Sequence, residues 1–344
     1  MLAAFFALGA VSHAQDVAQK STDAVIRELI EKLGSDSYAT RVRSREQLKT
    51  YGLEAFDALR EAQDHPDSEV LAAAKYLISS LQVSWSSDSD PKEVREILQE
   101  YGAQQDTDRL GRIELLGQLP DQMGIEALAR LSRFESSVPL SRRAAMLVLK
   151  QPVSSERAKR TTLADKIEDV IGENRRPSAT WLLAYAQDLR RGGFDADRWE
   201  SIVAKQRALI DSGSADEVTS SSVIQLIRVL ASRAIDEGMP DAAITLAGDH
   251  IDLVAPVSRD LSEYSSWLIA NDLFPVVVEL YKRHQHTFQM NAELLYSAAQ
   301  GFQASNDLDT AERLASDALQ INPLPKLTDA DDDGERELTD HQIE

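Results

Sequence analysis

Small side chains recur in the C-terminal half of this chain at intervals of 34 residues. Ala243, Val277 and Ala311 stand one such step apart, as do Ala231, Ser265 and Ala299. Apolar Ile227, Leu261 and Leu295 keep the same step, and so do Ala247, Tyr281 and Ala315. A period of this length holds two helices and their turns. One such pair cannot bury its own apolar face, so successive pairs must stack, with small residues where helices approach. The period therefore predicts an all-α fold, an α-solenoid of stacked antiparallel helix pairs. Composition points the same way: only 15 of 344 residues are glycine and 6% are aromatic. Good helix formers abound, and no run alternates β-branched with polar residues.

The stretch "NAELLYSAAQGFQASNDLDTAERLASDALQINP" (Asn291 to Pro323) makes the pattern concrete. Leu295, Ala299 and Phe302 stand on a first helix; Ala311, Ala315 and Ala318 stand on a second, closed by Pro323. It resembles a tetratricopeptide (TPR) repeat. The two earlier copies depart from that family at His250 and His284, which replace Ala318, and at Ala255 and Gln289, which replace Pro323. Gly238 marks the inter-helix turn of one copy, and Pro275 lies near the second helix of the middle one. A further pair, "SATWLLAYAQDLRRGG" and "DADRWESIVAKQRALIDSG", is similar but out of register. The resemblance spans 178–323 and implies a superhelix whose first helices line a concave, partner-binding groove. Candidate groove residues are Gln225, Arg228 and Arg233 in one unit, Ser262 and Trp267 in the next, and Glu293 and Gln300 in the third.

The N-terminal half repeats differently. "GLEAFDALR" (Gly52 to Arg60) matches "GIEALARLS" (Gly124 to Ser132) at an offset of 72. Ala72, Ala73 and Leu77 then correspond to Ala144, Ala145 and Leu149. Two helix-like segments, 91–102 and 107–119, lie between, so the offset is two repeats of about 36 residues. "SDSYATRVRSREQL" (Ser35 to Leu48) is a weaker copy. The pattern resembles HEAT repeats over 22–150, with the paired alanines at helix contacts. Residues 151–177 then read as a basic connecting helix or linker.

The two ends carry other signals. "LAAFFALGAV" (Leu2 to Val11) is apolar, and Ser12 and Ala14 fit a cleavage site. A signal peptide over 1–14, cut after Ala14, is expected, and with it a periplasmic or secreted protein. That run is too short to span a bilayer, and no other segment is apolar enough, so no stable membrane span is expected after cleavage. Residues 324–344 form an acidic tail. Within it "DADDDGERELTD" has Asp329, Asp331, Asp333 and Asp340 at positions 1, 3, 5 and 12 of a calcium loop. Pro323 and Pro325 leave no room for an entering helix, so a solvated acidic linker is expected, with calcium as the alternative.

A net charge of -20 argues against nucleic acid as a partner. The stretch Pro139 to Arg191 runs the other way, with eleven Lys/Arg against six Asp/Glu. It is either the exposed face of ordinary amphipathic helices or a dock for something acidic. With no cysteine, disulfides and thiolate chemistry are excluded. No HExxH, GxSxG or phosphate-binding loop occurs, and His284 and His286 lie too far around a helix to share a metal. The four tryptophans read as packing anchors. No cofactor, metal or catalytic residue is indicated. The expectation is an exported scaffold or assembly module that binds another protein or peptide on its concave face. A helical-toroid hydrolase or lyase, or a purely structural envelope component, are the alternatives.

Overall fold

The computed structural model describes residues 22–80, 85–172, 174, 176–212 and 219–322. The signal segment with its cleavage after Ala14, and the calcium-loop positions Asp329, Asp331, Asp333 and Asp340, lie outside these residues. The described residues contain 18 α-helices packed as sequential pairs and no strand, the α-solenoid arrangement. None of these helices is long and apolar enough to cross a membrane. The chain divides into two compact units, with the boundary after Ile202.

Unit one begins with α1 (22–31), α2 (Tyr38–Tyr51), α3 (Phe56–Glu61), α4 (Ser68–Ser80), α5 (Lys92–Leu98) and α6 (Asp106–Gln118). It continues with α7 (Ile125–Phe134), α8 (Val138–Leu149), α9 (Arg157–Ile171), α10 (Pro177–Arg191) and the first part of α11 (Ala196–Asp211). The 72-residue match is a match of buried faces. Ala55, Phe56, Leu59 and Ala62 are buried, and so are Ala127, Leu128, Leu131 and Phe134 at the same offset. The paired alanines need a correction: Ala144 and Ala145 are buried, but Ala72 is exposed and the buried pair in α4 is Ala73 and Ala74. Val70, Ala73, Ala74 and Leu77 form one stripe on α4. Helix α8 is enclosed by α6, α7 and α10, so it buries side chains on most of its circumference.

Within 151–177 the chain forms a helix and not a bare linker. Helix α9 packs on α7 and α10 and buries Leu163, Ala164, Ile167 and Ile171. The basic stretch 139–191 is only in part a basic surface: Lys150, Arg157 and Lys159 are exposed, while other cations are buried or paired. Arg142 is buried with its guanidinium over the Trp181 ring, and Arg176 is buried with Nη1 donating to the Arg133 carbonyl. Arg143 pairs with Glu114, Lys166 with Glu126, and Arg190 with Asp165 and Glu168. Glu114 and Glu126 lie on neighbouring helices outside the stretch, so a count over that stretch alone does not register them.

One carboxylate ties unit one together. Glu135, at the turn from α7 to α8, is 0% exposed. Its Oε2 accepts from the Tyr101 hydroxyl at 2.7 Å, and its Oε1 accepts from Arg109 Nη1 at 2.7 Å and the Ser137 N–H at 2.9 Å. Burial, and then the Glu135 charge, push the Tyr101 phenol well above its ordinary value, so it stays a donor. Removing one partner of such a set strands the others. Glu135→Ala is expected to cost about 3–5 kcal/mol in denaturant unfolding, while Glu135→Gln, which still accepts, costs less.

Unit two contains the rest of α11, then α12 (Ser220–Asp236), α13 (Pro240–Gly248), α14 (Ser258–Ala270) and α15 (Phe274–Arg283). It continues with the short α16 (Gln285–Gln289), α17 (Ala292–Ala304) and α18 (Leu308–Ile321). The second helices of the three pairs start at Pro240, Phe274 and Leu308, each 34 residues after the last. Ala231, Ser265 and Ala299 are buried, as are Ala243, Val277 and Ala311, and Ile227, Leu261 and Leu295. The caps are local: Thr219 and Ser222 form a reciprocal capping box on α12, and the Asn291 and Asp307 side chains cap α17 and α18.

The turns repeat as well. Gly238, Asp272 and Asn306 have φ of 74°, 57° and 61°, again in 34-residue steps. Behind each, the next N–H closes the helix: Met239 to the Ala234 carbonyl, Leu273 to Leu268 and Asp307 to Phe302, at 2.8–3.0 Å. This six-residue ring is how a helix stops on a left-handed residue. Glycine adopts that geometry freely, whereas aspartate and asparagine do so at some cost. Asp272→Gly and Asn306→Gly are therefore expected to leave stability unchanged or raise it, and Gly238→Val to lower it by about 1–2 kcal/mol, as read by thermal unfolding.

Candidate functional site

The 34-residue register aligns the outward positions of the first helices α12, α14 and α17. Gln225, Arg259 and Glu293 make one row; Arg228, Ser262 and Tyr296 make a second; Ser232, Ser266 and Gln300 make a third. All are exposed or half-buried. On α12 the positions 225, 228 and 232 recur at helical spacing, so they share one side of the helix.

The centre of this surface is Arg228. Its Nη1 donates to Glu263 Oε1 at 2.7 Å, linking α12 to α14. Its guanidinium carbon lies 5.3 Å from the Tyr264 ring centroid and 5.7 Å from that of Trp267. The two rings lie 5.4 Å apart at 31°. Tyr264 is fully buried and donates its hydroxyl to the Ala247 carbonyl at 3.1 Å, so it fixes the position of the ring beneath the arginine. Burial raises the Tyr264 phenol above its ordinary value, so the hydroxyl stays protonated. The Arg228 hydrogen bond and charge lower the Glu263 carboxyl below its usual range. Asn271 Nδ2 donates to the Trp267 carbonyl at 2.8 Å at the far end of α14.

The structure brings together two of the residues expected in the groove, Arg228 and Trp267, and places Ser262, Gln225, Glu293 and Gln300 on the same outward rows. It moves one away. Arg233 is buried, at 6% exposure, and does not lie on the outward surface. The reason is its register: Arg233 corresponds to Trp267 and to Gly301. A side-chain carbon at Gly301 would come within 3.2 Å of Val277 and Val278 on α15. At Gly301 that position faces the preceding second helix, whereas Trp267, which lies against Tyr264 and Arg228, is half-exposed. Sequence reading missed Glu263, Tyr264, Arg259 and Tyr296. Tyr296, which is 58% exposed, stands in the row of Arg228 and Ser262 and follows from the same 34-residue step. Glu263 and Tyr264 carry no such signal, because their partner lies on another helix.

Among the described residues no group of His, Cys, Asp and Glu is arranged to hold a metal. Chemically, the surface offers one guanidinium resting against two rings, exposed carboxylates, amides and hydroxyls, and two half-exposed or exposed aromatic side chains. That set can hydrogen-bond an extended backbone and bury apolar side chains against Trp267 and Tyr296.

A scan of protein-family models finds no match to the chain, and no curated protein matches its sequence significantly.

The arrangement around Arg228 makes a specific prediction. A carboxyl lowered in the folded state contributes stability that is complete above its unfolded value and lost as pH falls through its folded one. Arg228→Ala should therefore bring the Glu263 titration back up to ordinary values in NMR. The Glu263 side chain is 63% exposed, so the ion pair is worth under about 1 kcal/mol. The lost cation–π contact adds about 0.5–1 kcal/mol. Trp267 should become more accessible to acrylamide quenching in the same variant.

Proposed function

We propose that this protein is an exported module that binds another protein or peptide across the first-helix surface of unit two. In this reading the helix pairs of unit two are TPR-like and those of unit one HEAT-like, and the chain acts by binding, as a scaffold or assembly factor, without catalysing a reaction. The observation that carries it is the Arg228 cluster. A cation resting against Tyr264 and Trp267, tied to Glu263, links two successive first helices beneath a row of outward polar and aromatic groups. Arginine and tryptophan fixed in this way are the residue types that dominate binding energy at interfaces. The helix starts and left-handed turns, repeated every 34 residues, support the TPR-like reading; the matched buried faces at an offset of 72 support the HEAT-like one. Export rests on the Leu2–Val11 run and Ala14, which imply a periplasmic or secreted location for the mature chain.

Site-specific photo-crosslinking from position 225 or 300 in the native host tests the reading. It predicts a defined protein adduct, formed by a chain whose mature N-terminus is Gln15. The Arg228→Ala/Trp267→Ala double variant is expected to reduce that adduct at least about tenfold, the effect of losing a central anchor. Adduct yield unchanged by the double variant, or an uncleaved chain in the cytoplasm, would overturn the surface or the location respectively.

A further inference from the structure

A helix pair with a surplus of cations, most of them on exposed or half-buried side chains, lies near the start of the described residues. Helices α2 and α4 carry Arg41, Arg43, Arg45, Lys49 and Lys75 against only Glu46 and Glu69, in a chain whose net charge is -20. Tyr38, Arg41, Arg45 and Lys49 recur at helical spacing, so they lie along one side of α2. That side meets α4. Arg45 and Lys49 lie over the Tyr76 ring, 5.8 and 5.9 Å from its centroid, and Arg41 Nε lies 3.6 Å from Glu69. Arg41 also lies 5.8 Å from the centroid of Tyr38. Tyr38 and Tyr76 are 74% and 53% exposed, which is uncommon for large aromatic side chains. Between Glu69 and Tyr76 on α4 comes Ala72, the exposed alanine noted above, which leaves the seam between the helices low at that point.

The cations of this seam are incompletely matched. Glu46 and Glu69 offset Lys49 and Arg41 through side chains that are themselves 65% and 64% exposed. No carboxylate pairs with Arg45 among the described residues, and its Nε, shielded from solvent, has no acceptor there. In the basic stretch 139–191, by contrast, seven of the eleven cations are buried or paired with a carboxylate.

We infer that the α2–α4 seam is a docking site for an acidic, extended segment of a partner protein. From Tyr38 to Lys49 the stripe runs about 16 Å at the rise of an α-helix, the span of about five residues of extended chain. Arg41 already gives Nη1 to the Ser35 and Asp36 carbonyls; Arg45, resting on the Tyr76 face, is the guanidinium left to meet a carboxylate, which its N–H fork matches. Exposed tyrosine supplies apolar area at low entropic cost. Nucleic acid suits the seam less well, because the cations already cover a face of each tyrosine that a base would stack upon, and the chain as a whole repels a polyphosphate. A bilayer would call for a broad basic face, where this is a single narrow line between two helices.

The test is fluorescence anisotropy of the full-length protein with a labelled peptide of alternating Glu and Ser, beside an alternating Gln and Ser peptide, a single-stranded oligothymidylate and anionic phosphatidylserine vesicles. The acidic peptide should bind at low salt, with affinity falling about tenfold or more between 50 and 300 mM salt as the charges are screened. Arg45→Glu/Lys49→Glu should weaken it at least about tenfold, and Tyr76→Ala several-fold, with thermal unfolding unchanged as the check on folding. Arg45→Gln/Lys49→Gln repeats the test should charge reversal disturb folding. No binding of the acidic peptide, equal binding of the uncharged one, insensitivity to these substitutions, or tighter binding of oligothymidylate or vesicles would each overturn the proposal.

Discussion

In unit two, everything rests on how closely the first and second helices approach. Ala231, Ser265 and Ala299 are buried on the first helices, and Ala243, Val277 and Ala311 on the second. A larger side chain at any of these would push the helices apart, and in a stack the displacement would pass to the next pair. Gly301 shows how little room there is, since even a β-carbon there would press on Val277 and Val278. The tight approach also sets the outward surface. Because successive first helices keep one register, Arg228 reaches across to Glu263 and comes to rest on Tyr264 and Trp267.

Unit one meets the same requirement by other means. Its pairs are less regular, and polar groups bridge them. Glu135 collects Tyr101, Arg109 and the Ser137 N–H; Arg130 joins Asp90; Arg133 reaches Asp57 and the Val170 carbonyl. Three buried serines, Ser132, Ser141 and Ser178, meet where α7, α8 and the start of α10 converge. Buried polar contacts of this kind are directional, so they specify one arrangement where apolar packing alone would tolerate several.

The fold was largely legible because its determinants are periodic. Small residues at 34-residue intervals marked the helix contacts, and all but Ala315, which is half-buried, lie buried where the period put them. The turns were legible only in part. Gly238 stood out by its identity, but Asp272 and Asn306 adopt the same left-handed geometry with different letters, so their equivalence is conformational. The surface was half legible. Arg228 and Trp267 fell on the outward side, whereas Arg233 did not. A single helix gives a residue's angle around the axis but not which neighbour stands at that angle. The same limit explains the stretch 139–191: its carboxylate partners Glu114 and Glu126 lie on α6 and α7, outside the stretch in which the cations were counted. It also explains Ala72, which lost its place in the core because α4 is packed along one stripe where α8 is enclosed.

The left-handed turns bear on how the molecule comes into being. Each closes through hydrogen bonds within six residues, and each pair then meets its neighbour within one period of the chain. Contacts this local impose little loop-closure entropy, and such topologies fold quickly. No distant segment has to arrive before a pair can form, so ordering in unit two can begin at any of its pairs and spread to the next. Growth from a local start, in the manner of a zipper, is written into the same spacing that sets the register of the surface.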